Sequence, residues 1–239
     1  MRRFFSKEIS DVTVLSGQEA AHIAQVLRMQ PGDRVILFDG SGMDYYCQID
    51  SVGKKEVILH VYDRCPNAQE PSVSLTLYAA GIKKDKLDFA LQKATELGIS
   101  RFCYYTAARS VKQIKDADKQ TEHLYRVALE AAKQCGRARI PKIEYIGDSD
   151  AVKASIAQHE LVCFAYEEET HPLRAVLREH RGVKNIGVII GPEGGFTPEE
   201  ATAFVEAGAS ACSLGKLILR AETASIAAVS MILYETEQK

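Results

Sequence analysis

Two glycine-containing loops near the end of the chain hold the residue types from which a binding site can be built. The first, Gly191-Pro192-Glu193-Gly194-Gly195, follows the apolar run Ile186–Ile190. Its glycines permit positive φ and let bare backbone approach a ligand closely. It lacks both the Lys-Ser/Thr pair of a P-loop and the GxGxxG spacing, so a phosphate site has no support from motif. The second loop, Leu214-Gly215-Lys216-Leu217-Ile218-Leu219-Arg220-Ala221-Glu222-Thr223, places apolar residues before an arginine and an acid at a helix start. Arg220 has two readings: a salt bridge to Glu222 or Glu193, or a cation facing an anionic or imide-bearing substrate. Glu222 is read first as complementing the dipole of the last helix.

No other chemical constellation emerges. Ser225 and Thr223 have no nearby His–acid pair, and there is no GxSxG elbow. Glu167-Glu168-Glu169 with His171 is a metal set only on paper, because a solvated acidic loop explains it as well. The six cysteines are scattered without a CxxC pair, so no structural metal site is expected. Scattered free thiols fit a reducing, cytoplasmic setting. Tyr45, Tyr46, Phe102, Tyr104 and Tyr105 have faces on which bases stack, yet at strand positions aromatics are usually core. The start Met1-Arg2-Arg3-Phe4-Phe5 is no signal peptide, and no apolar run is long enough to span a bilayer.

The elements that must position these residues follow from periodicity. Thr197 caps a helix opened by Pro198, Glu200 completes a capping box, and Gly208 stands at the far end. A short strand at Ala211–Leu214 precedes the second loop, and Glu222 begins the last helix. Two strand–Gly loop–helix units in tandem predict a ligand held at strand C-termini. Earlier in the chain, residues 19–27 have helical spacing, with Ala20, Ile23, Ala24 and Leu27 on one face. Residues 34–40, 43–52 and 56–63 read as three strands joined by hairpins. One helix and three short strands suggest a small β-barrel. The linker-like composition of residues 65–72 marks a boundary between domains 1–70 and 71–239. Beyond it, five strands alternate with helices, including one at 85–97 with Leu87, Ala90, Leu91, Ala94 and Leu97 inward and one at 117–135. That alternation predicts an α/β domain with a mainly parallel, covered sheet.

Charge is unevenly distributed. Residues 71–140 carry 13 Lys+Arg against 7 Asp+Glu, a balance of +6, while residues 141–239 carry 9 against 15, or −6. The basic block fits a polyanion surface and equally a solvated helical face.

Several segments together resemble a known family, the RsmE-type small-subunit rRNA uridine N3-methyltransferases of the SPOUT superfamily. They are MRRFF, HIAQVLRMQPGD, FDGSG, KKDKLDFALQKATELG, EAAKQCGRARIP, IIGPEGGFTPEE and LGKLILRAETA, which span nearly the whole chain. Ala221 stands where the family often has Thr, and Ala107-Ala108-Arg109-Ser110 replaces a usual T-E-R run. The resemblance implies a PUA-like RNA-binding barrel at residues 1–70 and a knotted SPOUT α/β domain at 71–239. It implies a cytoplasmic homodimer that uses S-adenosyl-L-methionine, needs no metal or membrane, and methylates N3 of one uridine of 16S rRNA in the small ribosomal subunit. The cofactor site would draw on Phe164, Ala165, Ile190, Gly191, Pro192, Glu193, Gly194 and Gly195 from the first part. Leu214, Gly215, Ile218, Leu219, Arg220 and Thr223 would complete it. Arg220 is the expected catalytic residue, stabilising charge on the uracil carbonyls. Arg2, Arg3, Lys83, Lys84, Arg109, Arg137 and Arg139 are the expected RNA-binding cations. Two other readings of the same chain are a ribose 2′-O-methyltransferase and a non-catalytic ribosome-assembly factor.

Overall fold

A computed structural model of the chain describes residues 1–110, 114 and 116–237; Val111 and Lys112 of the segment after Arg109 lie outside them. The chain forms two compact units, residues 1–70 with 132–140 and residues 71–131 with 141–239.

The first unit is a curled five-stranded sheet in the order β1-β3-β4-β5-β2. The three expected strands are β3 (Arg34–Phe38), β4 (Met43–Val52) and β5 (Glu56–Pro66), paired as an antiparallel meander. Two more strands form the edges: β1 (Arg2–Phe5), parallel to β3, and β2 (Val12–Ser16), antiparallel to β5. Both are too short for periodicity to register. The helix expected at 19–27 begins earlier, as α1 (Gly17–Ala21), and continues as a π-helical turn, His22–Val26, in which Leu27 N–H donates to His22 C=O at 2.9 Å. The turn keeps Ala20 and Ile23 in the core but leaves Ala24 and Leu27 half-buried. Ala20 and Ile23 join Phe4, Val35, Leu37, Cys47, Ile49, Val57 and Leu59 in one apolar cluster, and Leu27 packs against it.

Residues 132–140 belong to this unit because Glu70 holds them. Its carboxylate accepts from Arg137 Nη2 at 2.8 Å, from Ala138 N at 3.1 Å and from Arg139 N at 2.8 Å. Asn67 Nδ2 donates to Gly136 C=O at 3.0 Å and to Asp44 at 2.9 Å, and Asp44 in turn receives both terminal nitrogens of Arg3. A charge this deeply buried persists only when paired in this way.

The second unit is a six-stranded, wholly parallel sheet in the order β11-β9-β10-β6-β7-β8. Its strands are β6 (Ser74–Ala80), β7 (Arg101–Thr106), β8 (Lys142–Asp148), β9 (Leu161–Ala165), β10 (Asn185–Ile190) and β11 (Ser210–Cys212). β8 is the sixth strand beyond the five expected; as an edge strand with only Ile143 buried, it has no continuous apolar run to announce it. The flanking helices are α2 (Lys84–Leu97), α3 (Ala117–Cys135), α4 (Ser149–Ser155), α5 (Leu173–Glu179), α6 (Pro198–Glu206) and α7 (Ala221–Thr236). α2 buries Leu87, Ala90, Leu91 and Ala94, leaves the expected Leu97 half-buried, and ends at Gly98, at φ 120°. α6 has the complete capping box: Thr197 Oγ1 accepts from Glu200 N at 3.1 Å, and Glu200 Oε2 accepts from Thr197 N at 3.0 Å.

A part-buried polar chain links β6 to the start of β10. His159 Nδ1 bonds Asn185 Oδ1 at 2.8 Å, which leaves Nε2 to accept from the Tyr78 hydroxyl at 2.7 Å. Burial lowers the His159 pKa and pushes the Tyr78 phenol up to about 12.

Two outcomes follow from these contacts. Glu70→Ala removes the carboxylate that pairs with Arg137 and leaves the Ala138 and Arg139 amides without their acceptor, and should lower unfolding free energy by about 1–3 kcal/mol; an unchanged urea midpoint would refute that role. Burial holds the folded His159 below its unfolded value of about 6.5, so below that pH the unfolded state binds more protons there. Stability should therefore fall as pH drops below about 6.5, and His159→Gln should flatten that slope in urea titrations.

Candidate functional site

β11, β9 and β10 lie side by side and run parallel, so their C-terminal ends open on one edge of the sheet. The chain leaves that edge through residues 166–172, 191–197 and 213–220. Together these loops enclose a pocket of about 300 Å³, within the range of small-molecule sites. Ile190, Leu214, Leu217, Ile218, Leu219, Ala221 and Ala224 supply apolar wall, Tyr166 and Phe196 aromatic wall. Glu167, Glu193, Lys216 and Arg220 bring charge to it.

Backbone conformation shapes the pocket as much as side chains do. Gly215 sits at φ 140°, which L side chains rarely adopt, and a Cβ there would project into open space. Gly195, at φ 68°, closes a turn by donating its N–H to Pro192 C=O at 3.0 Å, and the Glu167 carboxylate lies against the face where a Cβ would stand. At Gly191 the constraint is crowding, because a Cβ would meet the Phe196 ring at 2.7 Å. The strand beneath is dry: burial raises the Cys163 thiol and pushes that of Cys212 up to about 12. Neither thiol is a nucleophile at neutral pH.

The charged groups do not pair as one sequence reading proposed. Lys86, from α2, bonds Glu193 at 3.1 Å and approaches Glu222 to 3.8 Å, taking both carboxylates offered to Arg220. Among the described residues Arg220 forms no ion pair. It is the exposed N-cap residue of α7, and its carbonyl accepts from Ala224 N at 2.7 Å. A free guanidinium at the mouth of an apolar pocket can bind an oxyanion or a polarised carbonyl.

Of the residues expected at the cofactor site, Ala165, Ile190, Gly191, Pro192, Glu193, Gly195, Leu214, Gly215, Ile218, Leu219 and Arg220 meet in this pocket. Three do not. Phe164 alternates to the inner side of β9, where its ring stands 4.8 Å from Phe196 and 5.4 Å from Phe204. Gly194 faces the Cβ and carbonyl of Arg109, each 3.1 Å from where its own Cβ would be. Thr223 lies on the exposed side of α7. Tyr166, Glu167, Phe196, Ser213, Lys216, Leu217, Ala221 and Ala224 also line the pocket, although they were not among the cofactor-site residues expected. Their only sequence signal is adjacency to the two Gly loops and to the end of β9.

The seven expected RNA-binding cations divide by burial. Arg3 and Arg137 are inside the first unit, with side chains 9% and 4% exposed and committed to Asp44 and Glu70. Buried ion pairs of this kind offer nothing to a phosphate, so these two residues act structurally. Arg2 and Arg139 are exposed on the first unit, and Lys83, Lys84 and Arg109 on the second. Arg109 also donates to Phe196 C=O at 3.0 Å, which ties the Gly191–Thr197 loop to the end of β7. Among the described residues there is no group of three or more metal-ligating side chains and no helix long and apolar enough to cross a membrane.

Comparison with known proteins gives this geometry a context. The profile of an RNA methyltransferase domain matches residues 69–233, and that of an RNA methyltransferase PUA domain matches residues 15–62. The chain is 32% identical to the ribosomal RNA small subunit methyltransferase E of Bacillus subtilis, over 99% of this chain and 98% of that protein. It is also 32% identical to the protein of that description from Rickettsia conorii, over 94% and 90%. Among solved structures, ribosomal RNA small subunit methyltransferase E from Neisseria gonorrhoeae, bound to S-adenosyl methionine, superposes with a TM-score of 0.88 at 28% identity, covering 98% of this chain and 97% of that one.

Gly191→Ala tests the crowding at the first loop. Overpacking against Phe196 should lower unfolding free energy by about 1–3 kcal/mol, measured by urea denaturation. A variant as stable as the parent would show that Phe196 is free to move aside.

Proposed function

The chain belongs to the ribosomal RNA small subunit methyltransferase E family, and from that premise we propose that it methylates N3 of one uridine in 16S rRNA. It is an RNA methyltransferase whose cofactor is S-adenosylmethionine. The observation that carries the finer reading is the unpaired Arg220 beside a pocket walled by three converging loops.

The residues present fit the cofactor. Gly215 leaves open space where any side chain would intrude, and Ile190, Leu214, Ile218 and Leu219 offer apolar surface to an adenine. Glu167 brings a carboxylate to the pocket wall, which suits a positively charged ligand. When bound, S-adenosylmethionine supplies a methyl group activated by a sulfonium. The protein's own task is to hold the uracil and stabilise the charge that develops as its imide proton leaves. Arg220 cannot be the base, because a guanidinium does not deprotonate at ordinary pH. Its role here is to stabilise negative charge on the uracil carbonyls and align N3 with the methyl group. The target base must be flipped out or already unpaired, with its flanking phosphates held by exposed cations such as Arg2, Arg139, Lys83, Lys84 and Arg109.

Three further parts of this reading concern assembly. The protein works in the cytoplasm, its C-terminal segments thread a trefoil knot, and it acts as a homodimer that completes the site. The exposure of Leu217 and Ile218, 80% and 87%, supports a second copy at the pocket rim, since apolar side chains of that size are seldom left in water together.

The deciding experiment incubates the protein and labelled cofactor with small subunits lacking the modification and maps the methyl group. Label on N3 of a uridine is expected; label on a ribose would overturn the position, and cofactor binding without transfer would make the protein an assembly factor. Arg220→Ala should keep cofactor binding and lose turnover by at least about tenfold, roughly 1.4 kcal/mol of barrier. Unchanged turnover would remove Arg220 from the chemistry.

A further inference from the structure

The outer face of the first unit's sheet carries an aromatic pair that the cofactor pocket does not use. β4 and β5 pair Tyr46 with Asp63 and Cys47 with Val61, so Tyr62 is the extra residue of a β-bulge. A bulge re-aims the side chain it inserts. Tyr62 is 45% exposed, and its ring centroid lies 6.4 Å from that of Tyr46 at 47°. Arg34, at the start of β3, sets its guanidinium 5.4 Å from the Tyr62 ring centroid. Among the described residues Arg34 makes no ion pair, so its charge is available. Asp33 and Asp63, the chain neighbours of Arg34 and Tyr62, accept from the backbone N–H groups of Gln30 and Arg64, each at 2.8 Å. Val12 and Val14 continue the patch along the edge strand, opposite His60 and Ile58.

Three of the aromatics that the sequence offered for stacking are unavailable. Phe102, Tyr104 and Tyr105 are wholly buried in the second unit. An exposed tyrosine ring bordered by a second ring and a free guanidinium suits one class of ligand well. Unpaired bases stack on tyrosine faces and arginine planes, and the guanidinium adds attraction for the phosphate. A duplex hides its base faces and cannot use such a surface.

We propose that Arg34, Tyr46 and Tyr62 form a stacking platform for an unpaired base of the RNA substrate, separate from the methyl-transfer pocket. The proposal rests on the reading that this chain acts on RNA, and its test separates the two. The chain has no tryptophan, so Tyr62→Trp in the full-length protein introduces a single reporter. Titration with a single-stranded 16S rRNA oligonucleotide should quench its fluorescence, whereas the same sequence as a duplex should not. Tyr62→Ala should weaken binding of the single strand about tenfold, while Tyr62→Phe stays within about twofold, because the ring and not the hydroxyl makes the contact. Wild-type affinity in Tyr62→Ala, or an equal loss for the duplex, would overturn the platform. So would a change in sedimentation without a change in RNA binding, which would make the face a contact between copies. A wild-type protein that methylates small subunits while Tyr62→Ala binds the strand normally would sink the platform alone. Quenching by the strand in a protein that transfers no methyl would support the platform and count against the proposed function.

Discussion

Everything at the pocket depends on main-chain pairing of β9 with β10 on one side and β11 on the other, both in parallel. Parallel pairing ends all three strands on one edge, and the strand order brings the loops after Ala165, Ile190 and Cys212 together although they are far apart in the chain. Loops leaving such an edge turn sharply. Gly215 supplies a conformation that other residues resist, and Gly191 supplies room beside Phe196. The pocket is thereby walled mainly by backbone and aliphatic surface, with charge confined to a few side chains.

Positive charge divides according to solvent access. Arg3 and Arg137 are neutralised inside the first unit, where Asp44 and Glu70 also satisfy an asparagine amide and two backbone N–H groups. Lys86 plays a comparable part in the second unit by joining the first Gly loop to the first turn of α7 through Glu193 and Glu222. Because Lys86 occupies those carboxylates, Arg220 is left uncommitted. The catalytic candidate thus owes its availability to a lysine more than a hundred residues earlier, through competition for the same two acids.

Local signals survived folding where they were strong. The capping box at Thr197, Gly98 at the end of α2 and the apolar stripe of α2 stand as their residue types dictate, because each rests on contacts within a few residues. Three edge strands escaped notice for the opposite reason: β1, β2 and β8 are short or one-sided and owe their existence to a neighbour. Residues 132–140 read as the end of a helix and a connection within the second domain, yet Glu70 draws them into the first unit. No periodicity reports a hydrogen bond between residues so distant.

The sequence by itself determined the two-part organisation, the parallel α/β class, both Gly loops and the family, through motifs spread along the whole chain. It also marked Arg220, since an arginine between an apolar loop and a helix start is legible without a structure. Only the tertiary structure decided which cations face water and which are locked in pairs. It alone placed Phe164 in the core and turned Tyr62 outward through a bulge. The physical reason is the same in each case. Residue type sets what a side chain can do, but burial and partners set what it is free to do, and those come from segments remote in sequence.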